Sequence, residues 1–282
     1  MTPRPKQVVI HKSAFVGIDL DALCEFAGWH LLILPSVLHD ECVTNEDKAA
    51  QLLDRYERVI LAGGFFCPSI LCIAQTEAQL LQPYGPLLPD FENTESWRTA
   101  LRNGLGLSMP PNPELIRNEH LCVARLALEH NPMGIDMLYG EQFRQAASQI
   151  RHAQASRGDR LRRWVQIVDG GPLAGWSAGI LEQFQSPIDD HLVSNKWVTW
   201  HHVRVISVMH LELRFLAESR PAGKVEHDLQ DMEYVSLLSR ADALLSIDRP
   251  LCDLARAAFS EKDVFSSLED VPESYQCDWA KP

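Results

Sequence analysis

Two aspartates, Asp231 and Asp248, have the type and spacing that could support metal chemistry. Asp231 begins an apolar run with helical spacing, and Asp248 ends a short hydrophobic run, ALLSID. A carboxylate at the start of a helix and one at the end of the following strand can converge on one divalent cation, because a tight turn joins the two elements. Mg²⁺ and Mn²⁺ prefer oxygen ligands, and Mg²⁺ is usually held by one or two carboxylates together with water and substrate oxygens. The pair therefore predicts a divalent-metal site.

Glu41, His11 and Asp228 complete the candidate cluster. Sites in open α/β sheets form beyond the carboxyl ends of the strands, and His11 directly follows the first predicted strand. Glu41 lies on an apolar face of a predicted helix, from which it can face the same cleft. Asp228 precedes Asp231 by three residues and is a candidate for a supporting position. We expect Glu41, Asp231 and Asp248 to be the metal ligands.

Each of these carboxylates also has a purely structural interpretation. Asp231 could cap a helix or lie in its first turn, where the helix dipole favours acids. Asp248 precedes Pro250, and proline is favoured in the first turn of a helix, so Asp248 could cap the next helix. Glu41 could be a solvated helix acid. The sequence leaves these alternatives open.

The elements that would position these residues follow an α/β pattern at both ends of the chain. Short apolar runs predict buried strands at 8–10, 30–34 and 243–248, and an edge strand at 264–271. Helices are predicted at 19–27, 36–46, 231–240 and 249–259. Asp19 and Ser36 are the expected N-caps of the first two. Strands that alternate with helices predict an α/β fold with a central, mostly parallel sheet and flanking helices.

The middle of the chain has a helical pattern. From about residue 46, apolar residues recur at three- and four-residue spacing, and GGFF at 63–66 is a break between helices. A single sheet built from both ends of the chain is the economical architecture. We therefore predict a core of residues 1–45 and 225–282, with residues 46–224 as a helical insertion that completes or caps it.

With these elements the sequence resembles a PIN-like domain. The resemblance is carried by HKSAF after the first strand, by SVLHDECVT, and by DMEYVSLL followed by ADALLSID. It covers about residues 7–45 and 225–265. It implies a nuclease that acts on RNA or single-stranded nucleic acid, in which Mg²⁺ or Mn²⁺ activates water against a phosphodiester. By this resemblance Glu41 is the acid of the second helix, Asp231 that of the late helix, and Asp248 that of the strand end.

His11 stands where this family normally has an aspartate. A neutral imidazole is a softer ligand than a carboxylate, suits Mn²⁺ or a transition metal better than Mg²⁺, and removes one negative charge from the cluster. His11 is therefore a metal ligand, a general base, or a residue of a scaffold that has lost catalysis or simply packs there. The two main functions that stay open are a metal-dependent nuclease and a catalytically degenerate PIN-like module for binding or regulation. A third is a helical regulator whose α/β part is purely structural.

A dense basic stretch is the candidate nucleic-acid-binding surface. The formal net charge of the chain is −12, which opposes binding to a polyanion, because phosphate contacts depend on lysine and arginine. Arg160, Arg162 and Arg163 are the candidate contacts, in a stretch that also contains Arg151 and Arg157. A solvated helix end is an equally good interpretation of these residues.

The composition is that of a globular protein. The chain has 282 residues, of which 46% are hydrophobic, enough for a sizeable core. No apolar run reaches the roughly eighteen residues of a membrane span, and no signal-peptide core is present, so we expect a cytoplasmic protein without a membrane partner. The seven cysteines are scattered and form no C-x-x-C pair, which favours reduced core thiols over a zinc site. A homodimer is one assembly that stays open.

Overall fold

Five parallel strands form the central sheet of the protein. The computed structural model describes residues 4–45, 47–105, 132–185, 187–216 and 225–277. The strands are β1 Gln7–Ile10, β2 Leu31–Pro35, β3 Phe65–Cys67, β4 Ala243–Leu245 and β5 Asp263–Phe265. They lie in the order β3-β2-β1-β4-β5, and every pairing is parallel. The predicted fold class, an α/β fold with a central parallel sheet and flanking helices, is confirmed.

β1 is the central strand and marks the point where the strand order reverses. Val8 pairs with Leu32 on one side and with Ala243 on the other. The chain moves outward from β1 through β2 to β3, and later returns to the far side of β1 for β4 and β5. In open parallel sheets a crevice forms at such a switch point, beyond the carboxyl ends of the strands. The carboxyl ends of β1 and β4 therefore define the expected site.

Helices make up most of the remaining described chain. The α-helices are α1 Lys12–Gly17, α2 Leu20–Trp29, α3 Ser36–Val43, α4 Ala49–Ala62, α5 Ile70–Leu80, α6 Phe91–Arg102, α7 Pro132–Ala153, α8 Arg157–Asp169, α9 Leu173–Leu181, α10 Val198–Phe215, α11 Val225–Leu237 and α12 Arg249–Ala258. Short 3₁₀ helices cover Asp190–Leu192 and Glu273–Tyr275. Among the helices described, none is long and apolar enough to cross a membrane.

Both ends of the chain and its middle share one hydrophobic core. The four residues of β1, QVVI, are all buried, as expected for a parallel strand covered by helices on both faces. The same cluster of buried residues includes Tyr56 of α4, Trp164 of α8 and Val205 of α10. The segment predicted as a helical insertion thus packs its apolar faces into the core that the two ends build.

The GGFF tract is more than the break between helices that its sequence predicts. Phe65–Cys67 pairs with β2 as an edge strand, with Phe65 opposite Ile33. Gly63 has a φ of 131°, and a Cβ there would lie 2.6 Å from the carbonyl oxygen of Ala27, so only glycine lets α4 end against α2 at this distance. A strand of three residues is too short for an apolar pattern to identify.

Three of the four helices predicted at the two ends of the chain begin where the sequence predicts, and the fourth begins earlier. Asp19 caps α2 with its carboxylate, as predicted. Ser36 was the predicted cap of α3, but the N-cap residue is Pro35, which supplies no side-chain hydrogen bond. Asp231 was expected at the start of its helix, but α11 begins at Val225. Asp231 therefore lies in the middle of a helix, and capping does not explain its carboxylate.

Candidate functional site

Hydrogen bonds join the segments that follow β1 and β4. The backbone N–H of His11 donates to the carbonyl oxygen of Leu245 at 3.0 Å. Ser13 Oγ accepts from the backbone N–H groups of Ile247 and Asp248, both at 3.2 Å. These bonds satisfy backbone groups that the strands leave unpaired, and they fix the two loops at one place. The polar residues gathered there, which we call the crevice cluster, are His11, Lys12, Glu41, Asp231, Tyr234 and Asp248.

His11 is the centre of the crevice cluster. Its Nδ1 lies 2.9 Å from Ser13 Oγ and 3.0 Å from Ser246 Oγ, and its Nε2 lies 3.2 Å from Asp231 Oδ1. Nδ1 also accepts from the backbone N–H of Ser13, as the cap of α1. A ring nitrogen that accepts carries no proton, so Nε2 carries it and donates to Asp231. The His11 side chain is 6% exposed and that of Asp231 is 30% exposed, so the carboxylate is the part of this pair that a ligand can reach.

Glu41 is held by two side chains, one charged and one neutral. Lys12 Nζ donates to Glu41 Oε1 at 3.1 Å, and the hydroxyl of Tyr234 donates to Glu41 Oε2 at 2.6 Å. Burial, followed by the neighbouring Glu41 charge, holds the pKa of Tyr234 well above its ordinary value, so the phenol stays protonated and can donate. The Tyr234 ring also meets the His11 ring edge-on, with the centroids 4.7 Å apart. The His11–Asp231 pair and the Tyr234–Glu41 pair are thus in contact through their rings.

Asp248 caps the helix that follows β4. Its Oδ1 accepts from the backbone N–H of Leu251 at 3.0 Å, and Pro250 occupies the first turn of α12. The capping interpretation of Asp248 is therefore confirmed. The residue is half-buried, and Ser246 Oγ accepts from its backbone N–H at 3.1 Å.

The structure links three of the predicted site residues: His11 bonds to Asp231, and its ring contacts Tyr234, which donates to Glu41. Asp248 is linked to them through its backbone N–H, which donates to Ser13 Oγ. Asp228, the predicted supporting residue, is half-buried one turn before Asp231 on α11. Sequence reasoning missed the roles of Lys12, Ser13 and Tyr234. Lys12 and Ser13 belong to the HKSAF motif itself, and Tyr234 follows Asp231 by three residues, which places both side chains on one helix face. The signals for these residues were therefore present.

The crevice cluster has the ligand chemistry of a divalent-metal site without the spacing of one. The cluster has three carboxylates, Glu41, Asp231 and Asp248, of which Glu41 accepts from the ammonium group of Lys12, and carboxylate oxygens are the ligands that hard cations prefer. Each of these carboxylates, however, already accepts hydrogen bonds from donors of the protein. A cation would have to replace some of these donors or bind through the remaining oxygen atoms and water.

A different trio satisfies the distance requirement for a metal site. In the described part of the chain, Asp189, Asp190 and His191 are the one group of three His, Cys, Asp or Glu residues whose ligand atoms lie within 4.8 Å of one another. All three are exposed, and Asp189 Oδ1 accepts from the backbone N–H of His191 at 3.0 Å as the cap of a 3₁₀ helix. Exposed neighbouring acids of this kind need no ion, and the capping bond accounts for the position of Asp189.

The three candidate arginines of the basic stretch lie on α8 in different surroundings. Arg160 points inward, where its NH2 donates to Glu212 Oε1 at 2.6 Å, and the Glu212 side chain is 0% exposed. Arg162 is exposed and pairs with Asp159 one turn earlier, at 2.6 Å. Arg163 is exposed, and its NH1 donates to the neutral Gln166 at 3.1 Å. Arg160 therefore has a structural role, whereas Arg163 keeps a charge that no described carboxylate offsets.

Comparisons of this chain with protein-family models, with curated proteins and with solved structures find no match. Its function has to be inferred from the fold and from the geometry of the crevice cluster.

Proposed function

We propose that the protein is a PIN-like module that binds RNA or single-stranded nucleic acid and does not cleave it. The observation that supports the absence of cleavage is that Lys12 and His11 already bind two acids of the crevice cluster, Glu41 and Asp231. Lys12 Nζ lies 3.1 Å from Glu41, and His11 Nε2 lies 3.2 Å from Asp231. An ammonium group at that distance takes the position next to Glu41 that a metal ion would need.

The position of His11 strengthens this argument. His11 follows β1 and donates to Asp231, whereas an aspartate at the same position would add another negative charge to the cluster. Neutral imidazole suits hard cations poorly, and an electrostatic site for Mg²⁺ depends on carboxylates. Histidine at position 11 in place of aspartate, and the ammonium group of Lys12, both lower the affinity of the crevice cluster for a divalent cation.

Nucleic acid is the partner that the resemblance implies, and the arginine-rich stretch on α8 supports it. Phosphate contacts require lysine or arginine, and the acidic crevice cluster would repel a polyanion. The contacts are therefore expected away from the crevice. We also propose a cytoplasmic location, where free thiols are stable; the cysteines of the described residues are all free.

A melting experiment with Mn²⁺ tests the proposal. We expect the native protein to change its melting temperature by less than about 1 °C at millimolar Mn²⁺, because Lys12 and His11 already hold the acids. In the double variant His11→Asp, Lys12→Met, the competing ammonium is gone and a carboxylate is added, so Mn²⁺ should raise the melting temperature by about 5 °C. Adding Asp231→Asn to that variant should remove the shift.

The proposal fails if Mn²⁺ stabilises the native protein by several degrees and Asp231→Asn abolishes the effect. It also fails if the native protein binds no oligonucleotide at low salt. The Asp231→Asn change serves as a matched control, because it keeps the size of the side chain while removing its charge.

A metal-dependent nuclease is the second candidate, favoured by the position of Glu41, Asp231 and Asp248 around the carboxyl ends of β1 and β4. Asp231 and Asp248 would hold Mg²⁺ or Mn²⁺ through the oxygens that are not engaged by His11 and by the helix cap, with Glu41 released from Lys12. A bound ion of this kind supplies activation of water against a phosphodiester.

A further inference from the structure

A groove between α7 and α8 has the chemistry of a base-binding site. Its volume is about 220 Å³, below the roughly 300–1,000 Å³ of sites for drug-sized ligands, so it suits one ring system. Six of its seven lining residues are a glycine, an arginine and four glutamines. The lining residues are Gln142, Gln145, Gln149, Arg163, Gln166, Ile167 and Gly170.

The helices that form the groove are held by the core behind it. On α7 the glutamines recur at three- and four-residue spacing, which places them on one face, while Phe143 and Ile150 on the other face are buried. On α8 the outward Arg163 and Gln166 alternate with buried residues such as Trp164. The rings of Phe143 and Trp164 stack with their centroids 5.3 Å apart. The polar side chains therefore project from a packed support.

Carboxamides are suited to the edges of nucleobases. Each glutamine offers a donor and an acceptor without net charge, and glutamine can form two hydrogen bonds to the edge of adenine. Unpaired bases expose these edges, whereas paired bases hide most of them. A groove lined by four glutamines therefore recognises an unpaired, uncharged, hydrogen-bonding ring better than it recognises a polyanion alone or an apolar ligand.

The charge around the groove complements a phosphate backbone. Between residues 141 and 170 six arginines outnumber three acids, in a chain whose formal net charge is −12. Arg160 is committed to Glu212 and Arg162 to Asp159, but the hydrogen-bond partner of Arg163 is the neutral Gln166. Arg163 is thus the arginine of the groove whose charge is left for a ligand.

We propose that this groove binds an unpaired base of a single-stranded nucleic acid, with the glutamine carboxamides on the base edge and Arg163 on the adjacent phosphate. The inference rests on the proposed function, because that function names nucleic acid as the ligand. It adds the place of contact, which is separate from the crevice cluster, and it predicts that binding depends on α7 and α8.

The test uses fluorescence anisotropy with the full chain and labelled oligonucleotides of about ten nucleotides, the homopolymers of A, C and U as RNA and of A, C and T as DNA. Arg163→Gln should weaken binding about tenfold and lower the salt dependence by about one phosphate contact. Arg58→Gln is the matched control, since it removes the same charge from an exposed arginine of α4 that also pairs with an aspartate, and it should change affinity by less than about twofold. Gln149→Met should reduce the preference among bases, because methionine keeps the length of the side chain without its amide.

The outcomes separate the groove from the proposed function. If no oligonucleotide binds even at low salt, the groove proposal and the proposed function are both overturned. If oligonucleotides bind and Arg163→Gln is no worse than Arg58→Gln, the groove proposal is overturned and the proposed function stands. Binding that is sensitive to Arg163→Gln supports the groove, and Mn²⁺-dependent cleavage in the same sample would overturn the non-cleaving function alone. All three substituted side chains are exposed, so unchanged melting curves are expected.

Discussion

Glu41 in the crevice cluster and Glu77, a residue of α5 that contacts the start of α10, are both buried carboxylates, but their hydrogen-bond donors differ. Glu77 is fully buried and accepts from the backbone N–H groups of Tyr84, Val198 and Thr199 at 2.8–3.0 Å, and from the Thr199 hydroxyl at 2.7 Å. It caps α10, where the N-cap residue supplies no side-chain bond of its own. Glu41 is held by the side chains of Lys12 and Tyr234.

The difference separates a structural carboxylate from one that can change partners. Backbone donors are fixed by the fold, so Glu77 cannot lose them unless α10 moves. Lys12 has a flexible side chain that is 27% exposed, and it can leave Glu41 without unfolding the protein. Two buried acids, Glu41 at 5% and Glu77 at 0% exposure, therefore differ in whether they can change partners, according to the kind of donor that each accepts from.

The largest effect is expected from Glu77→Ala. This change leaves three backbone N–H groups without an acceptor in a buried position, and we expect it to lower the free energy of unfolding by about 4 kcal/mol. Glu41→Ala should cost about 2 kcal/mol, because Lys12 can turn to solvent and only the Tyr234 hydroxyl loses a buried partner. Urea denaturation measures both. Equal costs, or a larger cost for Glu41→Ala, would break the comparison.

Arg160 and Arg162 extend the comparison to the predicted basic stretch. Arg160→Ala should destabilise the protein by about 3 kcal/mol, because it leaves the buried carboxylate of Glu212 with the Trp164 indole as its other donor. Arg162→Ala removes an exposed pair with Asp159 and should change stability by less than about 0.5 kcal/mol. Urea denaturation of both variants checks this. Similar values for the two would show that the inward position of Arg160 has no energetic consequence.

His202 provides a contrast with His11, since both rings bond to a serine hydroxyl. His202 Nδ1 lies 2.9 Å from Ser236 Oγ, but its Nε2 has no hydrogen-bond partner among the described residues, where His11 has Asp231. Burial lowers the pKa of His202 to about 4. The imidazole of residue 202 therefore binds a proton near pH 6.5 in the unfolded chain, but only near pH 4 in the folded protein.

This pKa difference predicts a loss of stability in acid. The free energy of unfolding should fall by up to about 3 kcal/mol through His202 as the pH decreases from 6.5 towards 4, and no such loss should occur above pH 6.5. Urea denaturation at pH 7 and pH 4.5 measures the loss. Because carboxylates also begin to titrate in this range, the comparison is with His202→Gln, whose loss should be smaller by about that amount. Identical losses in the two proteins would refute the assignment to His202.

A smaller effect than that of Glu41→Ala is expected from Lys12→Met. The variant keeps the length of the side chain and removes the ammonium group next to Glu41, so we expect a cost of about 1 kcal/mol in the free energy of unfolding. At high salt the difference should shrink, because screening weakens the partly exposed pair. A cost of several kcal/mol would mean that Lys12 is as fixed as the backbone donors of Glu77.

The location of the crevice cluster could be predicted from sequence, because it depends on a general property of parallel sheets. His11 and Asp248 follow two buried strands, and the carboxyl ends of parallel strands meet at one edge. The helix that begins after Asp248 could also be predicted, since its cap and proline are adjacent in sequence. The cap and proline of α12 could be identified from a local pattern because the residues that interact there are adjacent in sequence.

The partners of the acids could not be predicted in the same way. The Lys12 to Glu41 pair and the Tyr234 to Glu41 hydrogen bond join segments that are far apart in sequence, and they depend on how three elements pack. The start of α11 was misplaced because the residues before Val225, RPAGK, include no Ser, Thr, Asp or Asn that would signal a cap, so Asp231 was assigned to a helix end. The edge strand β3 was missed because three residues give almost no periodic signal.

The most direct test of the central claim is a cleavage assay with single-stranded RNA and Mn²⁺, in which the native protein is compared with Asp231→Asn and with the double variant His11→Asp, Lys12→Met. Because Lys12 and His11 occupy the acids of the crevice cluster, we predict that the native protein and Asp231→Asn leave the RNA equally intact. Cleavage by the native protein that requires Mn²⁺ and is lost in Asp231→Asn would contradict the account.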